Sequence, residues 1–342
     1  MPAERVEIGC STGRGSLLGV QPFMTVRDYS SPEAFHARLD SLLREAREIE
    51  WLSERTVVVF PEHIGTWLAA CGAPDAVFTA PTVARAMRAI ILRNPLGFSA
   101  RLLAGREHDR AAAALFRMRA DSMARIYQTV FSCLALDYGV TVVAGSIVLP
   151  NPRVIDRRIE ARPGPLASAS AVFDPRGRPH DRLVHKIYPV TDELAFTGAA
   201  PLESLPTFDT PAGLLGVLIC ADSWYPAPYH RLREAGVELI AVPSFAAGRN
   251  VWERPWQGYD GAPAPADVNP ADIGCLTEGQ AWRKYAMAGR IPASGAPYGV
   301  NVFLRGSLWD LGGDSDLATG VCGENIVVAG QEGAALVNIW LS

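Results

Sequence analysis

Chemistry-bearing side chains stand at three places where an apolar run stops abruptly. The run Gly216-Val-Leu-Ile-Cys220-Ala-Asp222 ends in a thiol, and Pro226 opens a helix a few residues later. A strand that turns sharply into a helix raises the side chain at the turn, and the helix N-terminus favours a thiolate there. The turn's N–H groups can also donate to a developing oxyanion. Val58-Val-Phe60-Pro61-Glu62-His63 places a carboxylate just past a second run, where α/β sheets carry their sites. Val184-His-Lys186-Ile-Tyr-Pro189 ends a third run in an ammonium, and Glu193 follows in the loop. Each segment alone has an ordinary reading: a small buried hydrophobe for the cysteine, solvated charge for the others. Together, an acid, a cation and a thiol at strand ends in one sheet are what acyl transfer through a thioester requires. The thiolate attacks a carbonyl carbon, the ammonium holds the tetrahedral oxyanion, and the carboxylate relays protons.

The elements that must position these groups read as one α/β domain spanning residues 1–342. A first short strand and a polar turn occupy residues 1–16, and Ser31-Pro32-Glu33 starts a helix running to about Ile49. Thr56–Phe60 is a buried strand ended by Pro61. From Pro81 to about Asp137 the pattern is helical, broken at Pro95-Leu-Gly97, and reads as a helical insertion. Its Ala84–Leu103 stretch, apolar with several arginines, is better explained by a helix docked on a sheet or in a subunit contact than by a membrane-surface amphipath. Val140–Leu149 reads as one strand. Ala169–Asp174 and Leu183–Ile187 read as a hairpin, and Leu214–Ile219 as a buried strand before a helix over about Pro226–Ala235. Glu238–Val242 closes another β-unit. Residues 246–276, rich in Gly, Pro, Trp and Asp, predict a long surface excursion or lid. A helix over about Glu278–Ala288 and strands near Val300, Ile326 and Leu336 finish the chain.

Composition bounds the partners. The chain has 342 residues, 49% hydrophobic and 20% charged, which excludes a disordered polymer. A net charge of −4, with no block of like charges, lacks the footprint of a nucleic-acid binder. The longest stretch without a charged residue, Tyr138–Pro152, is too short and too broken to span a membrane. The first residues lack a signal-peptide pattern, so a cytoplasmic address is expected. Six scattered cysteines without a C-x-x-C pair favour one catalytic thiol among buried ones over a disulfide framework or zinc site. The glycines at 13, 15 and 19 miss dinucleotide-fingerprint spacing, and His180 with His185 makes an improbable metal pair. His63 and the indoles of Trp67, Trp224, Trp252 and Trp256 have packing roles as available to them as substrate contacts.

Pro61-Glu62, His185-Lys186 and Cys220-Ala-Asp222 resemble, in order, the Glu–Lys–Cys signature of the nitrilase superfamily of carbon–nitrogen hydrolases. Leu232–Ser244 is similar to the helix–strand unit after that family's cysteine, and Glu193 matches its secondary glutamate. The resemblance implies a four-layer α-β-β-α sandwich, dimeric or larger, with no metal or organic cofactor. It implies Cys220 as nucleophile, Glu62 as general base and acid, and Lys186 as oxyanion stabiliser. It also implies Glu193 as the residue that orients Lys186 and substrate, and the Ala221 N–H as a second oxyanion donor. Ala221-Asp222 is closer to the amidase and carbamoylase branches, whereas Lys186-x-x-Pro189 with Glu193 and Gly198 is closer to the nitrilases. The 124-residue spacing from Glu62 to Lys186 exceeds the family's usual gap, the surplus falling in the helical stretch. Amide or carbamoyl hydrolysis is therefore expected ahead of nitrile hydrolysis, with N-acyl transfer or a non-catalytic interaction role behind both.

Overall fold

Successive residues of a strand point to opposite faces, so a strand buried along its whole length needs cover on both sides. The computed structural model describes residues 2–313, 317–321, 324–328 and 333–342, and it supplies that cover with layers. One six-stranded sheet runs in the order Glu4–Ile8, Ala335–Trp340, Ser16–Gln21, Thr56–Val59, Thr141–Val143, Val172–Phe173. A second six-stranded sheet runs Thr207–Thr210, Gly213–Val217, Leu239–Ser244, Tyr298–Phe303, Leu317–Val321, Glu324–Val328. In the first sheet Leu17, Val57, Val59 and Val143 share a core with Val217, Ala241, Val300 and Val302 of the second. Their neighbours Leu18, Val58 and Val142 instead share a core with Phe35, Leu39 and Leu43 of helix Pro32–Glu48 and with Tyr127, Phe131 and Leu134 of helix Arg110–Tyr138. Helices Pro226–Glu234 and Met287–Ser294 join the second sheet's core through Tyr229, Leu232, Met287 and Ile291. The order helix, sheet, sheet, helix is the expected four-layer sandwich.

Several expected elements are divided. Val140–Leu149 is two strands, Thr141–Val143 in the first large sheet and Ile147–Pro150 in a three-stranded sheet with Leu166–Ser170 and Val184–His185. The chain bends between them at Gly145, whose φ is +65° and where a Cβ would lie 2.0 Å from the Pro61 carbonyl oxygen. The hairpin pairs Val184 with Ser170 and His185 with Ala169, while Val172–Phe173 crosses to the large sheet. The last helix is split at Ala286, where ψ is −157°; the Arg290 guanidinium donates to the Tyr285 carbonyl there (2.7 Å) and stabilises the break.

The helical stretch has two parts. Helix Val83–Ile91 packs Ala86 and Ile90 on Val77, Phe78 and Leu115 in a satellite cluster, and Leu92, Leu96 and Leu103 stay exposed. Helix Arg110–Tyr138 lies on the first large sheet. Residues 246–276 hold one short 3-10 turn, Pro270–Asp272, yet Trp252 and Trp256 from this segment are buried. The segment is thus partly core, held by indoles instead of by periodicity. No helix among the described residues is long and apolar enough to cross a membrane.

The bend at Gly145 also holds the loop that carries Glu62: Gly65 N–H donates to the Ser146 carbonyl and His63 N–H to Ser146 Oγ, both at 2.9 Å. A Gly145→Ala substitution should cost about 3 kcal/mol in urea denaturation, since backbone blocks the new methyl. Gly139 has a similar φ of +62°, but a Cβ there meets nothing within 4 Å, so Gly139→Ala should cost only about 1 kcal/mol. Equal costs would show that the bend is not sterically enforced.

Candidate active site

The three strand ends belong to three different sheets, not to one as the sequence suggests. Glu62 follows Thr56–Val59 of the first large sheet, Cys220 follows Gly213–Val217 of the second, and Lys186 follows Val184–His185 of the three-stranded sheet. All three converge. Lys186 Nζ donates to Glu62 Oε1 at 2.7 Å and lies 2.5 Å from Glu193 Oε2. Its side chain is 2% exposed. Burial works against a charged ammonium, but the Glu62 and Glu193 carboxylates outweigh it and hold the Lys186 pKa well above the ordinary lysine value. Glu193 shows the reciprocal effect. Burial opposes its ionisation, yet Lys186 and His63 bring it down to about 2.

Cys220 sits on the sharp turn that its strand-to-helix context predicts. Its φ is +50°, a left-handed conformation that costs a non-glycine residue about 1 to 3 kcal/mol. Asp222 secures the turn from below. Asp222 Oδ2 accepts the Ile219 N–H (3.2 Å), and Oδ1 accepts the N–H groups of Ile187 (2.9 Å) and Tyr188 (2.7 Å). One carboxylate therefore ties the cysteine turn to the segment directly after Lys186. Burial pushes Asp222 up to about 7, against the pull of these N–H groups and of Lys186. Ser223 Oγ donates to the Cys220 carbonyl (2.6 Å), and Tyr229 OH donates to the Ser223 carbonyl (2.9 Å).

Burial, and after it the Glu62 carboxylate, raise the Cys220 thiol well above the usual thiol range, so it rests protonated. Ionising it in place would add a second uncompensated negative charge to a site with two carboxylates and one ammonium. Passing its proton to Glu62 leaves the local charge unchanged. The thiol donates to the Phe245 carbonyl, 3.8 Å away. A cavity of about 250 Å³ opens beside Cys220 and Ala221, walled by Trp224, Tyr225, Trp256 and Tyr259.

His63 joins the cluster. Its Nε2 is 3.4 Å from Glu193 Oε1 and 4.0 Å from Glu62 Oε1, and its Nδ1 faces Thr66 Oγ1 at 3.1 Å. Glu62, His63 and Glu193 bring ligand atoms within 4.8 Å of one another, close enough for a metal ion. The Lys186 ammonium already bonds both carboxylates of this group, so the chain supplies the cation itself. His180 packs edge-on to Phe208 and His185 is pushed down to about 4 by burial, then by Arg153. Of the indoles weighed as pocket walls, Trp224 and Trp256 line the cavity, whereas Trp67 packs against Trp309 elsewhere. Among the described cysteines Cys10 and Cys275 are exposed and Cys71 is buried like Cys220; Cys322 lies outside the described residues. Asp222 and Tyr259 went unassigned in the sequence. Asp222 has its spacing from Cys220 as a signal, and Tyr259 has none.

Two outcomes follow from this geometry. Asp222→Asn sets an amide N–H₂ or a single oxygen against three buried N–H donors, and should cost about 1 to 3 kcal/mol by urea denaturation. An unchanged midpoint would mean that the tie between the cysteine turn and the Lys186 segment carries no load. The depressed pKa of Glu193 makes its contribution full above the ordinary glutamate value of about 4.3 and lost as pH falls towards about 2. Wild type should exceed Glu193→Gln in stability at neutral pH, with the gap narrowing across that acid window. A gap independent of pH would contradict the assignment of Lys186 as its partner.

Residues 20–259 match the sequence profile of the carbon-nitrogen hydrolases. Over 135 residues the chain is 29% identical to a deaminated glutathione amidase of Yersinia enterocolitica, a match covering 35% of this chain and 43% of that protein. The chain thus matches less than half the length of this curated relative. An amidase from Nesterenkonia sp. superposes with a TM-score of 0.54 at 15% identity, over 95% of this chain and 90% of that one. A cysteine-to-serine mutant of the Nesterenkonia AN1 amidase, from the nitrilase superfamily, gives 0.55 at 15% identity over 98% and 94%. At that identity the likeness speaks for the fold, while the profile covers most of the chain: this protein belongs to the carbon-nitrogen hydrolase family.

Proposed function

We propose that the chain is an amidase that hydrolyses a non-peptide amide or carbamoyl C–N bond through a thioester on Cys220. The observation that carries this reading is the buried Lys186 ammonium, bonded to both Glu62 and Glu193, in the same cluster as a cysteine on a left-handed turn. In the acylation step Glu62 takes the thiol proton as Cys220 Sγ bonds to the carbonyl carbon. Lys186 Nζ and the Ala221 N–H stabilise the oxyanion. Glu62 then gives its proton to the departing nitrogen as the C–N bond breaks, and ammonia or an amine leaves. In the second half Glu62 takes a proton from water, whose oxygen attacks the thioester, and returns it to the thiolate as the acid departs. Glu193 fixes the position of Lys186 and keeps the ammonium charged.

Amides are favoured over nitriles by the Ala221-Asp222 pair and by the amidase activity of the similar proteins named above. A cysteine-to-alanine mutant of the Nesterenkonia sp. AN1 amidase has been solved with butyramide, and a glutamate-to-glutamine mutant carries acrylamide added to its active-site cysteine. Both support a small amide and a thiol nucleophile by analogy. Nitrile hydrolysis would use the same residues through a thioimidate, and an amine in place of water would give acyl transfer.

Ammonia release from amides, carbamoyl compounds and nitriles tests this reading. Release from amides is expected in wild type and absent in Cys220→Ala. Glu62→Gln should lose about 10²- to 10⁴-fold in kcat with folding preserved, the range for a general acid–base residue. Undiminished release in Cys220→Ala would refute the mechanism, and release from nitriles alone would refute the substrate class.

A further inference from the structure

The cavity beside Cys220 has walls of one character and a floor of another. The indoles of Trp224, Trp256 and Trp282 and the phenol rings of Tyr225 and Tyr259 line it. They form a continuous set of ring contacts: Trp224 stacks on Trp256 at 5.8 Å, meets Trp282 edge-on at 4.8 Å, and Tyr259 bridges Trp256 and Tyr225. Into this apolar enclosure projects Glu278, first residue of helix Glu278–Tyr285 and half-buried. Its carboxylate bonds to the Trp282 side chain, and burial raises its pKa. Neighbouring cations are turned elsewhere: Arg254 to the Arg249 carbonyl, Lys284 to Asp272, and Arg290 to Asp267. A second carboxylate, Asp260, stands exposed among the lining residues and accepts from the Thr191 N–H at 3.2 Å.

The chemistry of a ligand that fits such a cavity is narrow. An apolar acyl group would desolvate the Glu278 carboxylate and leave its charge with only the neutral Trp282 side chain as partner, which costs free energy. A carboxylate-bearing group would meet two like charges. A cation satisfies Glu278 directly and is attracted to the negative faces of the rings. We propose that the acyl part of the substrate carries a positive charge, an alkylammonium or guanidinium group, seated beside Trp224 and Tyr259 and paired with Glu278, while Trp256, stacked between Trp224 and Tyr285, backs the wall. This names the substrate class of the proposed amidase and rests on Cys220 being its nucleophile.

Binding of small probes tests the proposal without turnover. Wild-type protein is titrated with n-butylammonium, n-butanol and butyrate at matched ionic strength. Tryptophan fluorescence and protection of Cys220 from iodoacetamide, mapped by peptide mass, are the readouts. n-Butylammonium should bind about tenfold or more tightly than n-butanol, and butyrate more weakly than either. Glu278→Gln, with folding checked by thermal denaturation, should erase the advantage of the cation. If that variant fails to fold, the wild-type ranking alone decides. Equal or tighter binding of n-butanol or butyrate, or no binding by any probe, overturns the proposal. Hydrolysis of neutral amides as fast as ω-ammonium amides of equal length also overturns it while leaving the amidase reading intact. Selective binding of the cation by a protein that cleaves no amide refutes the amidase reading, and with it the assignment of the cation to the acyl part of a substrate.

Discussion

A lysine ammonium with 2% of its side chain exposed is the constraint on which the site depends. Removing such an ion from water costs several kcal/mol, and excellent geometry with opposite charge is needed to offset it. Here the compensation comes from two carboxylates at 2.7 and 2.5 Å. Glu62 arrives on the first large sheet, and Glu193 on the short helix Thr191–Leu194 beyond Lys186. The charge balance then bears on the chemistry. Burial and the Glu62 carboxylate hold the Cys220 thiol protonated, so the proposed attack requires a base to take its proton. In the proposed mechanism Glu62 accepts the thiol proton, a transfer that leaves the net charge as it was.

Holding three sheets to one point requires ties between them, and these are backbone N–H groups that donate to two buried polar residues, Asp222 and Ser146. Asp222 joins the cysteine turn to residues 187 and 188, and Ser146 joins the Gly145 bend to residues 63 and 65. Each tie acts on a chain segment one to three residues away from a member of the Glu–Lys–Cys set. The strained φ of Cys220 is maintained by the same means, because Ile219 and Ser223 on either side are hydrogen-bonded into the turn. The aromatic segment after Ser244 supplies a further part of the cavity wall through Phe245, Trp256 and Tyr259.

Much of the site is legible in the sequence because charge at the end of an apolar run is conspicuous. Glu62, Lys186, Glu193 and Cys220 all stand out by type and position, and the structure brings them together. That they end strands of three sheets could not be read, since strand pairing depends on contacts far apart in the chain. Val140–Leu149 reads as one strand because its apolar residues run on through Gly145; only the Pro61 carbonyl, 2.0 Å from a hypothetical Cβ, forces the bend. The break at Ala286 is equally hidden, as it rests on Arg290 reaching back to the Tyr285 carbonyl. Residues 246–276 have no period to reveal that Trp252 and Trp256 are core. Asp222 lay in the cysteine motif, but its partners lie 34 and 35 residues away.

The account's central claim is that Cys220 forms the covalent intermediate inside this charge-balanced cluster. Rapid acid quenching of wild-type protein during turnover of an amide substrate, followed by peptide mapping by mass, tests it most directly. The account predicts an adduct equal to the substrate mass less its departing amine on the peptide that contains Cys220. Turnover with that peptide unmodified at every quench time, and the adduct on another cysteine, would contradict it.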